Sequence, residues 1–273
     1  MIYLILVLLG LTFGSFVNAL VWRLHEKEQR AESAESEKEE SRNKPSSQPL
    51  ALNSDELSIW KGRSMCPNCR HALAGKDLVP VLSWVELRGR CRYCSQKISW
   101  QYPLVELLTA GLFTASYIWW PTSFNTQGII NFSLWLAVIV GFVALTVYDF
   151  RWMTLPNKII FPLIGITAVV EAVNLVFYGG TAHDVAQLIL AIVIASGFFY
   201  LIYQVSKGAW IGGGDIKLGF LIGLLLPTAW LAYLTLFFAS LVGSAAILPG
   251  LMLSKKITRT SHIPFGPFLI IST

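Results

Sequence analysis

Charged residues are scarce in this chain of 273 residues. Asp, Glu, Lys and Arg together make up only 14% of the sequence, hydrophobic residues make up 54%, and the mean hydropathy is +0.57. An average globular domain is about 25% charged, so this composition excludes an ordinary soluble protein. The chain is long enough for several membrane spans, and a polytopic membrane protein is predicted.

Hydropathy predicts an all-α protein with about eight transmembrane helices, because a helix needs ~20 residues to cross the hydrocarbon. The predicted spans are residues 2–22, 104–120, 129–148, 159–178, 185–205, 213–226, 229–251 and a last one that opens near Ile263.

Lys and Arg are absent from every second connection between these spans. The connections 121–128, 179–184 and 227–228 contain none, whereas 14 of the 21 cationic residues lie in 23–103. The positive-inside rule therefore predicts that the N-terminus lies outside and that every basic loop is cytoplasmic.

The first apolar segment also lacks a basic residue before it. Its first cation, Arg23, comes after the apolar run, so an uncleaved span is favoured over a signal peptide. The net charge of +5 then reflects cytoplasmic anchoring, and no nucleic-acid partner is expected.

Apolar residues are few between the first two spans, from Glu26 to about Glu56. Such a segment has too little apolar content to order itself, so a charged cytoplasmic linker is predicted over 23–60. A charged surface helix within 26–42 is the alternative.

All four cysteines lie in the next segment, 61–103, in the motifs Cys66-Pro67-Asn68-Cys69 and Cys91-Arg92-Tyr93-Cys94. Two Cys-x-x-Cys turns supply the tetrahedral thiolate shell that Zn²⁺ prefers, so a small cytoplasmic module with a structural zinc is predicted. Disulfides or redox thiols are the alternative, disfavoured by the cytoplasmic placement and by the lack of a βαβ pattern. His71 is either a substitute ligand or a surface histidine.

Two aspartates stand where predicted spans meet basic loops: Asp149 ends the third span and Asp215, behind residues 212–214 (all glycine), opens the sixth. A carboxylate at a membrane segment is costly to desolvate and usually has a functional reason. The glycines permit positive φ and close backbone approach, which suits a loop that presents Asp215 at the membrane edge.

Each aspartate has a simpler alternative, an N-cap for Asp215 and an ion pair with Arg151 for Asp149. Their joint placement favours function. Two carboxylates that are close together cannot both ionise, so one holds a proton while the other activates water for amide hydrolysis. This is the chemistry of an aspartic protease.

With these motifs the chain resembles the type IV prepilin peptidases, membrane aspartic proteases of the GxGD type. The resemblance covers nearly the whole chain. The motifs are Gly14-Ser15-Phe16-Val17-Asn18 with Arg23-Leu24, the two cysteine pairs, Leu87-Arg88-Gly89-Arg90-Cys91, Tyr102-Pro103-Leu104-Val105-Glu106-Leu107-Leu108, Asp149 with Leu155-Pro156-Asn157, Gly212-Gly213-Gly214-Asp215-Ile216-Lys217-Leu218 and Pro264-Phe265-Gly266-Pro267-Phe268.

The resemblance implies that Asp149 and Asp215 are the catalytic pair of a peptidase in the bacterial inner membrane. The implied partners are membrane lipid and the substrates, prepilins or secretion pseudopilins, whose leader is cut at the cytoplasmic face, typically after glycine. Zinc-bearing members often methylate the new N-terminal amine, so S-adenosylmethionine is an implied second cofactor. A peptidase without methyl transfer is the first alternative. A proton-coupled transporter is the second, disfavoured because transport favours acids at the bilayer midplane and inverted repeats.

Two departures from the family pattern stand out. Residues 26–56 look like an insertion, and the last span has only some 11 residues, about 16 Å of helix, so a half-span or a shortened one is expected. The domains predicted are therefore 1–22 (first span), 23–60 (linker), 61–103 (zinc module) and 104–273 (peptidase bundle). Glu106 is predicted to be structural rather than to recognise an amine. Glu171, in mid-span, is either hydrogen-bonded or in contact with substrate.

Overall fold

The computed structural model describes residues 1–40, 62–177, 179–253 and 264–273. In these ranges the regular structure is helical, apart from two isolated β-bridges in the cysteine module. The α-helices are α1 (Ile2–Glu40), α2 (Leu82–Glu86), α3 (Gln101–Ile118), α4 (Thr126–Trp152), α5 (Asn157–Phe177), α6 (Ala182–Ser206), α7 (Gly213–Leu225), α8 (Ala229–Leu253) and α9 (Gly266–Ile271).

Five of these helices contain stretches that are long and apolar enough to cross a membrane, and each coincides with a predicted span. The stretches are Ile2–Ala34, Thr126–Trp152, Asn157–Phe177, Ala182–Ser206 and Ala229–Ala246. Helices α3, α7 and α9 have 18, 13 and 6 residues. The all-α membrane fold is confirmed, whereas crossing by these three shorter helices stays a prediction.

Helix α1 continues well beyond the predicted end of the first span at residue 22. It runs through Glu40, and Glu26 pairs with Arg30 one turn later at 2.9 Å. The unstructured linker is therefore wrong up to Glu40, and the helical alternative holds there. Glu, Lys and Ala are good helix formers, and extending an existing helix avoids the cost of nucleation. The rest of the linker and the start of the last span lie outside the described residues.

The chain divides into two compact units, Met1–Pro121 and Thr122–Thr273. In the first unit, which also contains the cysteine module, α3 packs along α1. Two glycines on α1 permit this contact: a Cβ would lie 2.4 Å from Cα of Ala110 at Gly10 and 2.6 Å from Cα of Glu106 at Gly14. Small residues four apart allow such close backbone packing of membrane helices.

The second unit holds α4 to α9, and one side of α7 is buried within it. Leu218, Leu221 and Ile222 of α7 are at most 1% exposed. Gly219 and Gly223 pack against α6. A Cβ on either glycine would lie 2.6 Å from a backbone atom of α6. Helix α7 also contacts α5, while α9 packs against α4 and α8. These contacts bring the end of α4 and the starts of α7 and α9 together.

Candidate active site and metal centre

Asp149 lies at the buried end of α4, one turn before the helix ends. Asp149 is only 5% exposed, and its neighbour Tyr148 is 1% exposed. The helix ends because Met153 adopts a left-handed conformation, φ 53°, and its amide donates to the carbonyl of Asp149 at 2.8 Å. The backbone therefore leaves the helix within four residues after Asp149.

Asp215 lies in the first turn of α7 and faces the same site. Its amide donates to the Gly212 carbonyl at 3.2 Å, which closes that turn. The carboxylates of Asp215 and Asp149 are near enough to interact electrostatically. The structure thus brings together the two acids that the sequence singled out, although they are on different helices.

One oxygen of Asp149 has no hydrogen-bond donor. Its Oδ2 is buried, and no donor in the described part of the chain reaches it with hydrogen-bond geometry. A buried polar atom without a partner is costly, and in native proteins it usually marks a chemical role or an ordered water. Such an oxygen is free to accept a hydrogen bond from water or to carry a proton.

Gly266, the first residue of α9, contacts this same oxygen. Its backbone amide approaches the Asp149 carboxylate as a donor but without standard hydrogen-bond geometry to Oδ2, and a Cβ at Gly266 would lie 2.8 Å from Oδ2. Sequence reasoning did not assign Gly266 to the site. In the sequence, Gly266 stands between an aromatic residue and a proline in a short final segment. Hydropathy alone does not connect that segment to Asp149.

The first turn of α7 is held on the residues that follow α4. A Cβ at Gly214 would lie 2.9 Å from Cβ of Leu155, so the turn packs directly on this side chain. Two residues after Asp215, Lys217 Nζ donates to Asn157 Oδ1 at 2.6 Å and lies 5.3 Å from the ring of Phe161. These contacts position Asp215 relative to Asp149.

The simpler roles considered for the two aspartates are wrong. Within the described residues no ion pair joins Asp149 to Arg151, whose guanidinium lies 5.5 Å from the Trp152 ring. The N-cap of α7 is Gly212, and Asp215 is the third residue of the helix. The expected use of positive φ is also wrong for residues 212–214, because only Gly89, Gly179 and Gly208 among the described glycines have it.

The four cysteines converge at a second site in the first unit. The Sγ atoms of Cys66, Cys69, Cys91 and Cys94 lie within 4.8 Å of one another, and none forms a disulfide. Tetrahedral zinc with Zn–S bonds of about 2.3 Å needs sulfurs about 3.8 Å apart, and Sγ of Cys66 and Sγ of Cys94 are 3.9 Å apart. The donor set therefore fits a structural zinc, with all four positions filled by protein.

The two cysteine motifs fold into the same turn. Arg70 and Ser95, each directly after a second cysteine, have φ of 57° and 56°. Their amides donate to the carbonyls of Cys66 and Cys91, both at 2.9 Å. A β-bridge flanks each turn, Met65 with Ala72 and Arg90 with Lys97. The equal spacing in the sequence therefore produces two equivalent chelating turns.

Asp77 holds the second turn on the rest of the module. Its carboxylate accepts from Arg92 Nε at 2.7 Å and from Tyr93 Oη at 3.1 Å, the two residues between Cys91 and Cys94. Desolvation opposes ionisation, but these hydrogen bonds keep the pKa of Asp77 below its usual value.

The ionisation of the second cysteine pair is uneven. The hydrogen bond from the Gln96 backbone lowers the pKa of Cys94 to about 6, whereas burial raises the pKa of Cys91. Zinc binds thiolates, so metal binding releases the protons that these cysteines still carry.

The remaining sequence candidates have structural contacts. The ring of His71 stacks on Tyr93 at 3.7 Å, outside the thiolate cluster, as expected of a surface histidine. Glu106 is 6% exposed and accepts a hydrogen bond from the Val81 amide at 2.7 Å, as predicted for a structural acid. Glu171 interacts with the side chain of Asn174 near the C-terminal end of α5. This contact favours a hydrogen-bonded role for Glu171 over contact with substrate.

The fold and the two sites define a multi-pass helical membrane protein with an acid pair drawn from α4 and α7 and a separate four-cysteine module. Residues 8–120 match the Bacterial Peptidase A24 N-terminal domain, and residues 132–248 match the Type IV leader peptidase family. The chain belongs to this family of type IV prepilin peptidases.

Curated relatives cover most of the chain. The prepilin leader peptidase/N-methyltransferase of Dickeya chrysanthemi is 31% identical over 98% of this chain and 89% of its own length. The protein of the same name from Bacillus subtilis (strain 168) is 32% identical over 77% of this chain and 79% of its own length. The type 4 prepilin-like proteins leader peptide-processing enzyme of Escherichia coli O78:H11 is 31% identical over 95% of this chain and 87% of its own length. No solved structure was found to match the chain.

Proposed function

We propose that this chain is a membrane aspartic endopeptidase that removes the leader peptide of type IV prepilins or type II secretion pseudopilins and methylates the new N-terminal amine. The observation that carries the proteolytic part is the pairing of Asp149 with Asp215 around a buried carboxylate oxygen that has no donor. Membership of the leader peptidase family supports the same reaction.

The two carboxyl groups divide the work of hydrolysis. The ionised one accepts a proton from water as the oxygen attacks the scissile carbonyl carbon, and the protonated one donates a hydrogen bond to the carbonyl oxygen. When the tetrahedral intermediate collapses, the C–N bond breaks and a proton passes to the leaving amine. The products are the leader carboxylate and the free N-terminus of the mature pilin.

A single experiment tests both activities. The purified protein is incubated with a prepilin peptide and a methyl donor, and mass spectrometry gives the cleavage point and the mass of the new N-terminus. Cleavage with no added methyl mass would identify the peptidase without methyl transfer. An intact peptide would exclude the proposed hydrolysis.

The zinc module is proposed to support methyl transfer more than cleavage. The relatives named above support the second activity by their printed names, with S-adenosylmethionine as the proposed donor. Zinc, held by Cys66, Cys69, Cys91 and Cys94, contributes folding free energy to the module. The aspartates lie in the other unit.

Replacing Cys66 or Cys91 by serine is therefore expected to lower bound zinc and to reduce N-methylation more than cleavage. The measurement is zinc content per chain together with both product ratios on one prepilin, at matched protein amounts in detergent. Full methylation by a zinc-free Cys66→Ser, Cys91→Ser double variant would contradict the prediction. Equal loss of both activities would mean that the module only supports the global fold.

Lys217 and Asn157 are proposed to position Asp215 for hydrolysis. Replacing Lys217 by methionine removes the hydrogen bond to Asn157, and we expect kcat to fall by about tenfold with little change in KM, because small misplacements of a reacting group are costly. Lys158→Met is the matched control, since it removes an exposed charge beside Asn157. An Asn157→Ala, Lys217→Met double variant should be no slower than Lys217→Met, and additive losses would refute the coupling.

The proposed location is the bacterial inner membrane, with both aspartates at the cytoplasmic face. The basic connections lie on one side of the predicted spans, so a cysteine at Ser123 should react with an impermeant reagent added outside the cell, and one at Glu86 should not. The parent chain, with its four native cysteines, is the background control. External labelling at Glu86 would reverse the proposed orientation of the module.

A further inference from the structure

Contacts between α1 and α3 fix how deep each part of the first unit lies. Asn18 Nδ2 donates to the carbonyl of Tyr102 at 3.2 Å. One turn further along α3, a Cβ at Gly14 would lie 2.6 Å from Cα of Glu106. Glu106 is therefore level with Gly14 on the neighbouring helix.

Gly14 lies within the apolar run of α1. The first charged residue of that helix is Arg23. It comes nine residues after Gly14, a distance of about 13 Å along a helix. A backbone segment bound at Glu106 thus lies at a level where α1 carries only uncharged side chains.

Helix α2 is held at this level. The amide of Val81, which is its N-cap, donates to Oε2 of Glu106 at 2.7 Å. The ring of Trp84 in the same helix packs on the ring of Trp100, next to the start of α3, with centroids 4.1 Å apart. These two contacts attach the start of α2 to Glu106 of α3 and the middle of α2 to Trp100, the residue before α3.

An exposed apolar surface results. Val79 lies in the turn before α2, whereas Leu82 and Val85, three residues apart, share one side of the helix. Val79, Leu82 and Val85 are 41%, 68% and 59% exposed. On α3, Leu104 and Leu107 flank Glu106 and are 66% and 54% exposed. The set Val79, Leu82 and Val85, here called the α2 apolar face, is thus exposed, as are these two residues of α3.

Cations follow this face immediately. Arg88 and Arg90 come directly after α2, are exposed, and form no ion pair in the part of the chain that the structure describes. Arginine binds phosphate oxygens through paired N–H donors, and basic residues beside an apolar segment are attracted to anionic headgroups. Apolar side chains with a cationic rim match the boundary between acyl chains and phosphates.

We propose that the α2 apolar face inserts into phospholipid at the cytoplasmic boundary of the hydrocarbon, with Arg88 and Arg90 on lipid phosphates, and docks the zinc module on the membrane surface. A protein partner fits less well. Three side chains offer far less than the roughly 800 Å² per partner of a stable interface, and the predicted crossing of α3 would place lipid at this depth. The proposal needs the membrane placement of α1 and α3 but is independent of the proteolytic mechanism.

The test is photo-crosslinking in the full-length protein. A diazirine amino acid is placed at Leu82 or Val85, and the protein is reconstituted in bilayers of phosphatidylethanolamine and phosphatidylglycerol. Gln96, exposed among polar residues on the second chelating turn, is the matched control position. We expect about tenfold more phospholipid adduct at positions 82 and 85 than at position 96, by mass spectrometry of the digested chain.

Zinc content per chain verifies that each labelled protein is folded, without any reference to peptidase activity. Reaction of the probe mainly with water at all three positions would overturn the proposal. Adducts with residues 122–273, with a second copy or with an added prepilin peptide would overturn it as well, and would identify the face as a protein interface.

Discussion

Asp149→Asn and Asp215→Asn are each expected to lower the rate of prepilin cleavage by about 10³-fold or more, because one positioned proton-transfer group contributes 10² to 10⁴ and neither acid can replace the other. Asparagine keeps the shape of the side chain but neither accepts a proton from water nor donates a carboxyl proton. Both variants should remain in the membrane. The measurement is leader removal by purified protein at matched amounts in detergent.

Glu171→Gln is the matched control for the acid pair. It removes another acid from α5, but Glu171 is 14 residues from Asn157, about 21 Å along the helix, and lies away from the pair. Cleavage by this variant should stay close to wild type. A purified Asp215→Asn protein that cleaved at a near wild-type rate would exclude the aspartyl mechanism.

Gly266→Ala is expected to lower kcat by about 10²-fold, because a Cβ here would displace the Asp149 carboxylate and a misplacement of about 1 Å at a reacting group has an effect of that size. The added carbon would lie 2.8 Å from Oδ2 and 3.5 Å from Leu218 Cδ2. The fold should tolerate the change, since Gly266 opens α9 and alanine is a better helix former. Steady-state kinetics on a prepilin peptide separate kcat from KM.

Gly165→Ala controls for the loss of a glycine. Gly165 lies in α5, and no atom is within 4 Å of the Cβ it would gain. Its cleavage rate should not change. A Gly266→Ala protein with full activity would show that the Asp149 oxygen next to α9 is not used in the reaction.

The membrane helices were accessible to sequence reasoning because long apolar runs are a property of the local chain. Five predicted spans have helices of the required length and composition. The C-terminal end of α1 could not be predicted from hydropathy. Hydropathy ends the first span at the charged residues, but those residues are good helix formers and continue the helix to Glu40.

The thiolate cluster could also be predicted, because each Cys-x-x-Cys motif folds as a local turn. Its attachment through Asp77 could not. Asp77 lies well before Arg92 and Tyr93 in the chain, and no spacing rule joins a carboxylate in one loop to an arginine in another.

The glycines show the limit of reading residue types alone. Residues 212–214 suggested positive φ, but their backbone is not left-handed, and only Gly214 uses the missing side chain, against Leu155. Gly266, in contrast, packs directly against the Asp149 carboxylate, where a Cβ would lie 2.8 Å from Oδ2. It lies far along the chain from Asp149, and its role depends on how α9 packs on α4.

The sequence by itself determined the helical membrane fold, the cluster of four cysteines and the two acids, because composition, hydrophobic runs and short motif spacing act within a few residues. Only the tertiary structure decided that Gly266 contacts Asp149, that Lys217 binds Asn157 and that Glu106 holds α2 beside α3. These contacts join residues from different helices. Helix packing depends on the shapes of whole surfaces, glycines included, and no local pattern in the chain encodes it.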